Sequence, residues 1–489
     1  MNHFKEKHTR RTKSMSFISD NPFADENSTS EQPYTVLMSS PNLERSPTTS
    51  LSCLFLLKFS KVFLSCGAPS HRLDYCVQVL VQKLDVKAQF SYFPGFLVVS
   101  FGDPERLDAS VQMIKIQFSL NLNSLTQTYQ LFESVICNEV SIEEAMDRLD
   151  SIVQTPSIYP TWLRLLAYAT ASSISMPLFF SGGPMDMAFG FVLGLIVASG
   201  SIFLSKKITR FVSIFDVLSS TVVGFIASVI SAHLGSSCFY ALSIGGVISL
   251  LPGYATLVSI LEITAGEAAS GILRLATTLV YSLMIGFGLA IGSSCHKIIF
   301  PTLVLITAQQ CEDDMSSFYH ILFVPLYTLA SLVVLKGHPS KFPITLSLAA
   351  LSHTVHYFSL VWFSAYPHVA AVLAAFSVAF VSNLYARFRP TIGFVDMIIG
   401  LFFLVPGSVG VASSLDSLTS SVHATEVSII LNAGRQGIIF ATHMMIITVA
   451  ISLGLVLAAL VVYPIRKLVD YQRKTSRYRR RNWVGQVTF

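Results

Sequence analysis

The chain has 489 residues, of which 12% are charged and 52% apolar, with a formal net charge of +5 and a mean hydropathy of +0.60. Soluble domains carry about 25% charged residues, so a soluble surface could not be built from this composition. That excludes a soluble protein, a secreted disulfide scaffold and a nucleic-acid binder. The acids and bases gather at the two ends and in short clusters between long apolar runs, the division of a multi-span membrane protein.

In chain order, residues 1–50 are rich in Ser, Thr, Pro and Asn, carry Lys5, Lys7, Arg10, Arg11 and Lys13, and read as a disordered tail. The one sequon, Asn27-Ser28-Thr29, falls in this tail and is expected to stay unglycosylated in the cytosol. Residues 51–157 have the periodicity of a small cytosolic α/β domain. The apolar cluster 51–64 is interrupted by Lys58 and Lys61, which favours an amphipathic helix over a span. Ser70 can cap a helix whose Leu73, Val77, Leu80 and Leu84 share one face. Two β-prone runs, 88–93 and 96–101, flank Pro94-Gly95, the central pair of a type II turn. Hairpins prefer other turns, so the strands are expected and their pairing is left open. Ser141 followed by Glu144 is a capping box, opening a helix with Ala145, Met146, Leu149 and Ile152 along one side.

Ten apolar runs follow, and most approach the about 20 residues that a span requires. The fourth (238–251) and ninth (391–405) have 14 and 15 residues before a Pro-Gly pair. At about 1.5 Å per residue they reach only some 21 to 23 Å into a core about 30 Å thick, so each is a candidate broken or re-entrant helix. Aligning Pro252-Gly253 with Pro406-Gly407 gives an offset of 154, which also pairs Ile244 with Ile398, Gly246 with Gly400, Leu250 with Leu404, and Glu262 with Asp416. The chain divides into two five-span repeats, 158–300 and 301–463, and an odd number of spans per repeat inverts the second relative to the first. The expected fold is an α-helical polytopic membrane protein with ten transmembrane helices as two inverted repeats behind the α/β domain. With the N-terminus inside, eight loop Lys and Arg, including Arg274, face the cytosol and only Lys297 and Arg435 lie outside. Both termini are then cytosolic, including the basic tail 464–489. Composition does not separate the plasma membrane from an internal one such as the vacuole.

The stretch Gly67-Ala68-Pro69-Ser70-His71-Arg72-Leu73 and the segment Tyr92-Phe93-Pro94-Gly95 form one set of motifs. A second set is the Leu251-Pro252-Gly253 break with Leu261-Glu262, Gly266, Gly271 and Arg274 after it, together with Val405-Pro406-Gly407-Ser408. In combination they resemble the threonine/serine exporter family, which includes fungal pheromone-regulated membrane proteins of this architecture. The resemblance implies a cytosolic N-terminal domain, ten spans and export of small polar metabolites, either threonine and serine or small dicarboxylates. The acid after the first break is Glu262 where that family leads one to expect Asp, which keeps the charge on a longer arm.

The candidate substrate or ion pathway residues are Pro252, Gly253, Glu262, Glu267, Pro406, Gly407, Asp416, His353 and His356. Carboxylates after helix breaks in apolar sequence line wet paths or relay protons, unless they sit in solvated loops. His353 and His356 share a helix face and could titrate near neutral pH, or serve as neutral interhelical hydrogen-bonding groups. His443 reads as structural, and the pairs Gly190 with Gly194 and Gly288 with Gly292 as helix-packing sites. Cys295 and Cys311 share one outer loop and could pair. A thiol triad of Cys66, His71 and Asp103 lacks a nucleophile motif, and phosphate-loop, zinc-protease and C-x-x-C signatures are absent, so no enzyme, cofactor or metal is expected. The function read is a secondary transporter for a small polar solute with protons as coupling ion, in contact with lipid and without nucleic acid; homo-oligomerisation stays open. The alternatives are a non-transporting membrane scaffold or sensor, and a membrane-tethered hydrolase.

Overall fold

The computed structural model describes residues 47–102, 110–205, 212–234, 237–300, 311, 315–364, 366–388, 393–404 and 426–462. Asn27, Asp103, Lys206, Lys207, Arg210, Arg389, Pro406, Gly407, Asp416 and the basic tail lie outside the described residues, as does the His443 side chain.

Seven elements form the α/β region: α1 (Pro47–Ser65), α2 (Ser70–Leu84), β1 (Ala88–Phe93), β2 (Phe96–Phe101), β3 (Ser110–Lys115), α3 (Leu122–Ile136) and α4 (Ile142–Gln154). The three strands form an antiparallel sheet in the order β1-β2-β3. The pairing left open by the turn does form. Phe93 sits opposite Phe96, and Gly95 takes φ 95°, the left-handed value that the second central position of a type II turn requires. α1 is a helix because its aromatic residues have a core to fill. Phe55, Leu56, Phe59 and Phe63 are buried, and Phe59 stacks on Phe63 and on Phe132 of α3 at 5.4 and 6.0 Å between ring centroids. Lys58, which argued against a span, reaches across to Asp150 of α4.

Three local expectations change. Ser70 is the first residue of α2 rather than its cap; Pro69 holds the cap position and supplies no side-chain bond. Ser141 does cap α4, accepting from the Glu144 N–H at 3.2 Å, but the Glu144 carboxylate turns to Arg148 four residues on, so only half of the capping box forms. β3 and α3 are not expected from the sequence. β3 exposes its apolar Val111 and Met113, which removes the usual inward alternation, whereas α3 is capped by Asn121, which accepts from the Ser124 N–H, and buries Leu122, Leu125, Tyr129 and Phe132 at helical spacing.

The helical region comprises α5 (Thr161–Phe179), α6 (Pro184–Ser205), α7 (Val212–His233), α8 (Phe239–Gly246), α9 (Gly253–Thr264) and α10 (Ala268–Ile299), then α11 (His320–Val334), α12 (Phe342–Trp362), α13 (Pro367–Phe388), α14 (Gly393–Phe402) and α15 (Glu426–Val462). Six stretches among the described residues are long and apolar enough to cross a membrane, and a seventh counts if α8 and α9, bent by 44°, are one span. The protein is therefore polytopic, with fewer stretches meeting that standard than the ten expected. α5 carries Arg164 and a run of Ser and Thr, α11 has 15 residues, and α14 has ten.

The 154-residue offset pairs α7 (Val212–His233) with α13 (Pro367–Phe388) and α8 (Phe239–Gly246) with α14 (Gly393–Phe402) in sequence. Packing follows the same pattern: α7 lies along α10 as α13 lies along α15, and α8 contacts α6 and α7 as α14 contacts α12 and α13. Glycines allow these approaches. A Cβ on Gly224 would lie 2.8 Å from the Leu289 Cα, Gly194 abuts Ser172 and Ala169, and Gly288 and Gly292 abut α7.

Two further corrections concern the loops. Cys311 is bonded to Cys238 at the start of α8, not to Cys295, which is free. Proximity in sequence misleads here because Cys295 is held inside α10. Arg274 and Arg435, counted as loop charges, lie within α10 and α15.

Candidate functional site

The break after α8 is built by residues that cannot continue a helix. Gly245-Gly246 ends α8, a 3-10 turn spans Ile248–Leu250, and Pro252 has no N–H to donate. α9 restarts when the Thr256 N–H donates to the Pro252 carbonyl at 3.0 Å. The freed backbone around Leu251, Pro252 and Gly253 borders a cavity of about 630 Å³. Irregular backbone at membrane depth is tolerated where it is buried in protein or lines a water-filled cavity.

The cavity lies between the two halves of the chain, with walls from α5, the break, and α11 to α15, and it carries four histidines, His320, His353, His356 and His368. The His320 and His353 rings share a hydrogen bond of 3.1 Å between Nδ1 and Nε2, and His353 stacks on Tyr357. Tyr168, Tyr254, Tyr327 and Tyr357 add hydroxyls to an otherwise aromatic and aliphatic lining. A few convergent polar groups in an apolar wall suit a small polar solute. No group of three or more His, Cys, Asp or Glu among the described residues is arranged to hold a metal.

Of the nine expected pathway residues, Pro252, Gly253, His353 and His356 meet at this cavity. Pro406, Gly407 and Asp416 fall outside the described residues. Glu267 caps no helix N–H with its side chain; it sits in the turn before α10, where burial first, then Asp74 and Glu262, push its carboxyl above the usual range. Glu262 is fully buried, and protein groups engage both of its oxygens. Its Oε1 accepts from the Ser70 N–H at 2.9 Å and from Arg274 Nη2 at 3.3 Å. Its Oε2 accepts from Ser270 Oγ at 3.1 Å and Arg274 Nε at 3.2 Å.

That cluster joins the α/β region to the helices. Glu262 supplies the N-terminal cap that α2 lacks, placing a negative charge on an orphan amide at the positive end of the helix. Arg274 also donates to the Tyr92 hydroxyl at 3.2 Å and lies over the Phe118 ring. Nearby, the Tyr254 hydroxyl donates to the Gly67 carbonyl at 2.5 Å, and Arg72 lies 4.4 Å above the Phe394 ring. Burial, Arg72 and Arg274 together push His71 down to about 3, so this imidazole is held neutral. Cys66 is buried and the third member of the imagined thiol triad is undescribed.

Sequence reasoning missed His320 and His368, which stand alone in the chain with no spacing signal. It also missed Arg274 as the partner of Glu262, since a spacing of 12 residues across the Gly266 turn carries no contact signal of its own.

The fold and site define an integral, multi-pass membrane protein with a solute-sized cavity at a helix break. Residues 54–296 match the family model described as "Putative threonine/serine exporter", so the family that the motifs resemble is also the one its own model finds. An uncharacterized protein of Schizosaccharomyces pombe is 29% identical over 84% of the chain and 56% of its own length. Pheromone-regulated membrane protein 10 of Eremothecium gossypii is likewise 29% identical, over 84% and 56%. Its namesake in Candida albicans is 30% identical over 84% of the chain and 38% of its own length. The chain thus spans about half, or less, of the curated relatives it matches. No solved structure matches.

Proposed function

We propose that the protein is a secondary transporter that exports small polar metabolites, threonine- or serine-like amino acids or small dicarboxylates, with protons as the coupling ion. The observation that carries this reading is the cavity between the two halves of the chain, bordered by the Pro252-Gly253 break and by His353 and His356. Its support at family level is the exporter description matched over residues 54–296. The like packing of α7 along α10 and of α13 along α15 supports ten spans as two inverted repeats, with Pro406-Gly407 and Asp416 completing the site from the second half. In this reading the α/β region and both termini are cytosolic. The histidines exchange the coupling proton, since their ring nitrogens meet at the cavity. Glu262 acts by positioning the break helix, since both of its oxygens are already engaged.

The test is uptake of labelled serine, threonine and a C4 dicarboxylate by vesicles reconstituted with the protein, with and without a pH gradient. Gradient-dependent accumulation of at least one solute, reduced by His353→Phe, is the expected outcome. Vesicles indistinguishable from protein-free controls for all three would refute the reading.

A further inference from the structure

The cavity is closed on one side by the α/β region itself. Phe118 and Leu120, from the connection between β3 and α3, are part of its lining, and Phe118 stacks on Tyr254 of α9 at 5.9 Å between centroids. Beside them the Leu122 N–H donates to the Leu335 carbonyl at the end of α11. The same face of the α/β region is held by four polar contacts with α9 and α10: Ser70 N–H to Glu262, Ser70 Oγ with Ser270 Oγ at 2.9 Å, Tyr92 OH with Arg274, and Tyr254 OH to the Gly67 carbonyl. We infer that the α/β region is a movable plug that closes this end of the cavity, and that the buried Glu262–Arg274 pair, capping α2, is the latch that holds it.

The contacts have the composition of a reversible seal. Here an ion pair 97% or more removed from solvent sits at the boundary, and such pairs confer geometry more than net stability. The latch touches α9, the helix that restarts at the break, and α10, which follows it after the Gly266 turn. Release of Ser70 from Glu262 would therefore loosen the plug and the break helix together, leaving the contacts of Tyr254 with Gly67 and Phe118 to be broken in turn. The inference deepens the reading of the cavity as a solute path, but it concerns access to the cavity and can be tested without knowing the solute.

The experiment uses the full chain in lipid vesicles with Ser249→Cys as reporter, a cavity-lining position in the break. Modification by a membrane-impermeant maleimide is followed peptide by peptide by mass spectrometry. Cys76, fully buried in the α/β core, serves as an internal control for the fold of that region. Glu262→Gln and, separately, Arg274→Gln are expected to speed labelling of the reporter by roughly tenfold, the factor that accompanies about 1.4 kcal/mol of lost docking free energy, while Cys76 stays protected. Glu262→Asp, which keeps the charge, is expected to restore slow labelling in part. Unchanged labelling in both neutral variants would overturn the inference, as would parallel labelling of Cys76, which would mean that the pair holds the region's fold and not its position. Opening of the reporter in a protein that moves no solute would sink the proposed transport and leave the plug standing.

Discussion

Replacing Glu262 by alanine perturbs the most heavily engaged side chain of the junction. The change strands Arg274, which is 3% exposed, without its counter-charge and leaves the first amide of α2 without an acceptor. Removing one partner of a buried pair costs about 3 to 5 kcal/mol, and losing an N-terminal cap adds about 0.5 to 2 kcal/mol. Retained contacts from Arg274 to Tyr92 and to the face of Phe118 soften the first figure, so a loss of about 3 kcal/mol is expected. The same pair replaced together, Glu262→Leu with Arg274→Met, leaves no orphan charge and should recover at least about 1.5 kcal/mol of that loss. Denaturant unfolding of detergent-solubilised Glu262→Leu, Arg274→Met and the double variant, monitored by protection of Cys76, closes the double-mutant cycle, with Glu262→Ala measured beside it. Additive effects within about 0.5 kcal/mol would refute the reasoning, because they would mean that the two side chains do not interact.

The stability of the α/β region should fall as pH drops. His71 is held neutral when folded, down to about pH 3 against an ordinary value of 6.5, so the unfolded chain binds the extra proton between those values and the folded state loses stability across that window, up to about 1.4 kcal/mol per pH unit. His71→Gln should flatten this slope in acid-unfolding curves, and an unchanged slope would assign it to other groups. Mapping of unreduced peptides should recover Cys238 linked to Cys311 and leave Cys295 open to maleimide; a Cys295–Cys311 peptide would overturn that pairing. Gly224→Leu should abolish accumulation of folded protein, since its Cβ meets the Leu289 backbone. Gly190→Leu, facing the flexible end of Met176, should be tolerated better, and comparison of the two by size-exclusion of detergent extracts checks the order.

What could be read from the sequence followed from local chemistry. The strands around Pro94-Gly95, the cap at Ser141 and the helix break at Pro252-Gly253 are each specified by a few adjacent residues, and each is found. The 154-residue offset, a longer-range regularity, has a counterpart in the packing, where α7 lies along α10 as α13 lies along α15. Long-range contacts left no such trace. Nothing near Ser70 shows that its amide is met by a carboxylate in another region, and nothing near Glu262 shows that Arg274 turns back across the Gly266 bend rather than facing a loop. Isolation in apolar sequence correctly marked Glu262 as costly to bury, but expense alone does not say whether water or a partner offsets it. His320 and His353, 33 positions apart, become neighbours only when α11 packs on α12.

The capping of α2 by Glu262 also sets an order of assembly. The ribosome completes Ser70 well before it reaches Glu262, 192 residues later, and polypeptides emerge at only about 5 to 20 residues per second. For some ten seconds or more the nascent α2 has an uncapped start and a neighbouring Pro69 that offers no substitute. The α/β region can collapse around Phe59 and Leu97 in that interval, but its final seat is unavailable until α9 and α10 have entered the bilayer. Insertion of the helices and docking of the earlier segment are thus sequential steps, and a chain that stalls before Arg274 would present an unoccupied face to the cell's quality-control machinery.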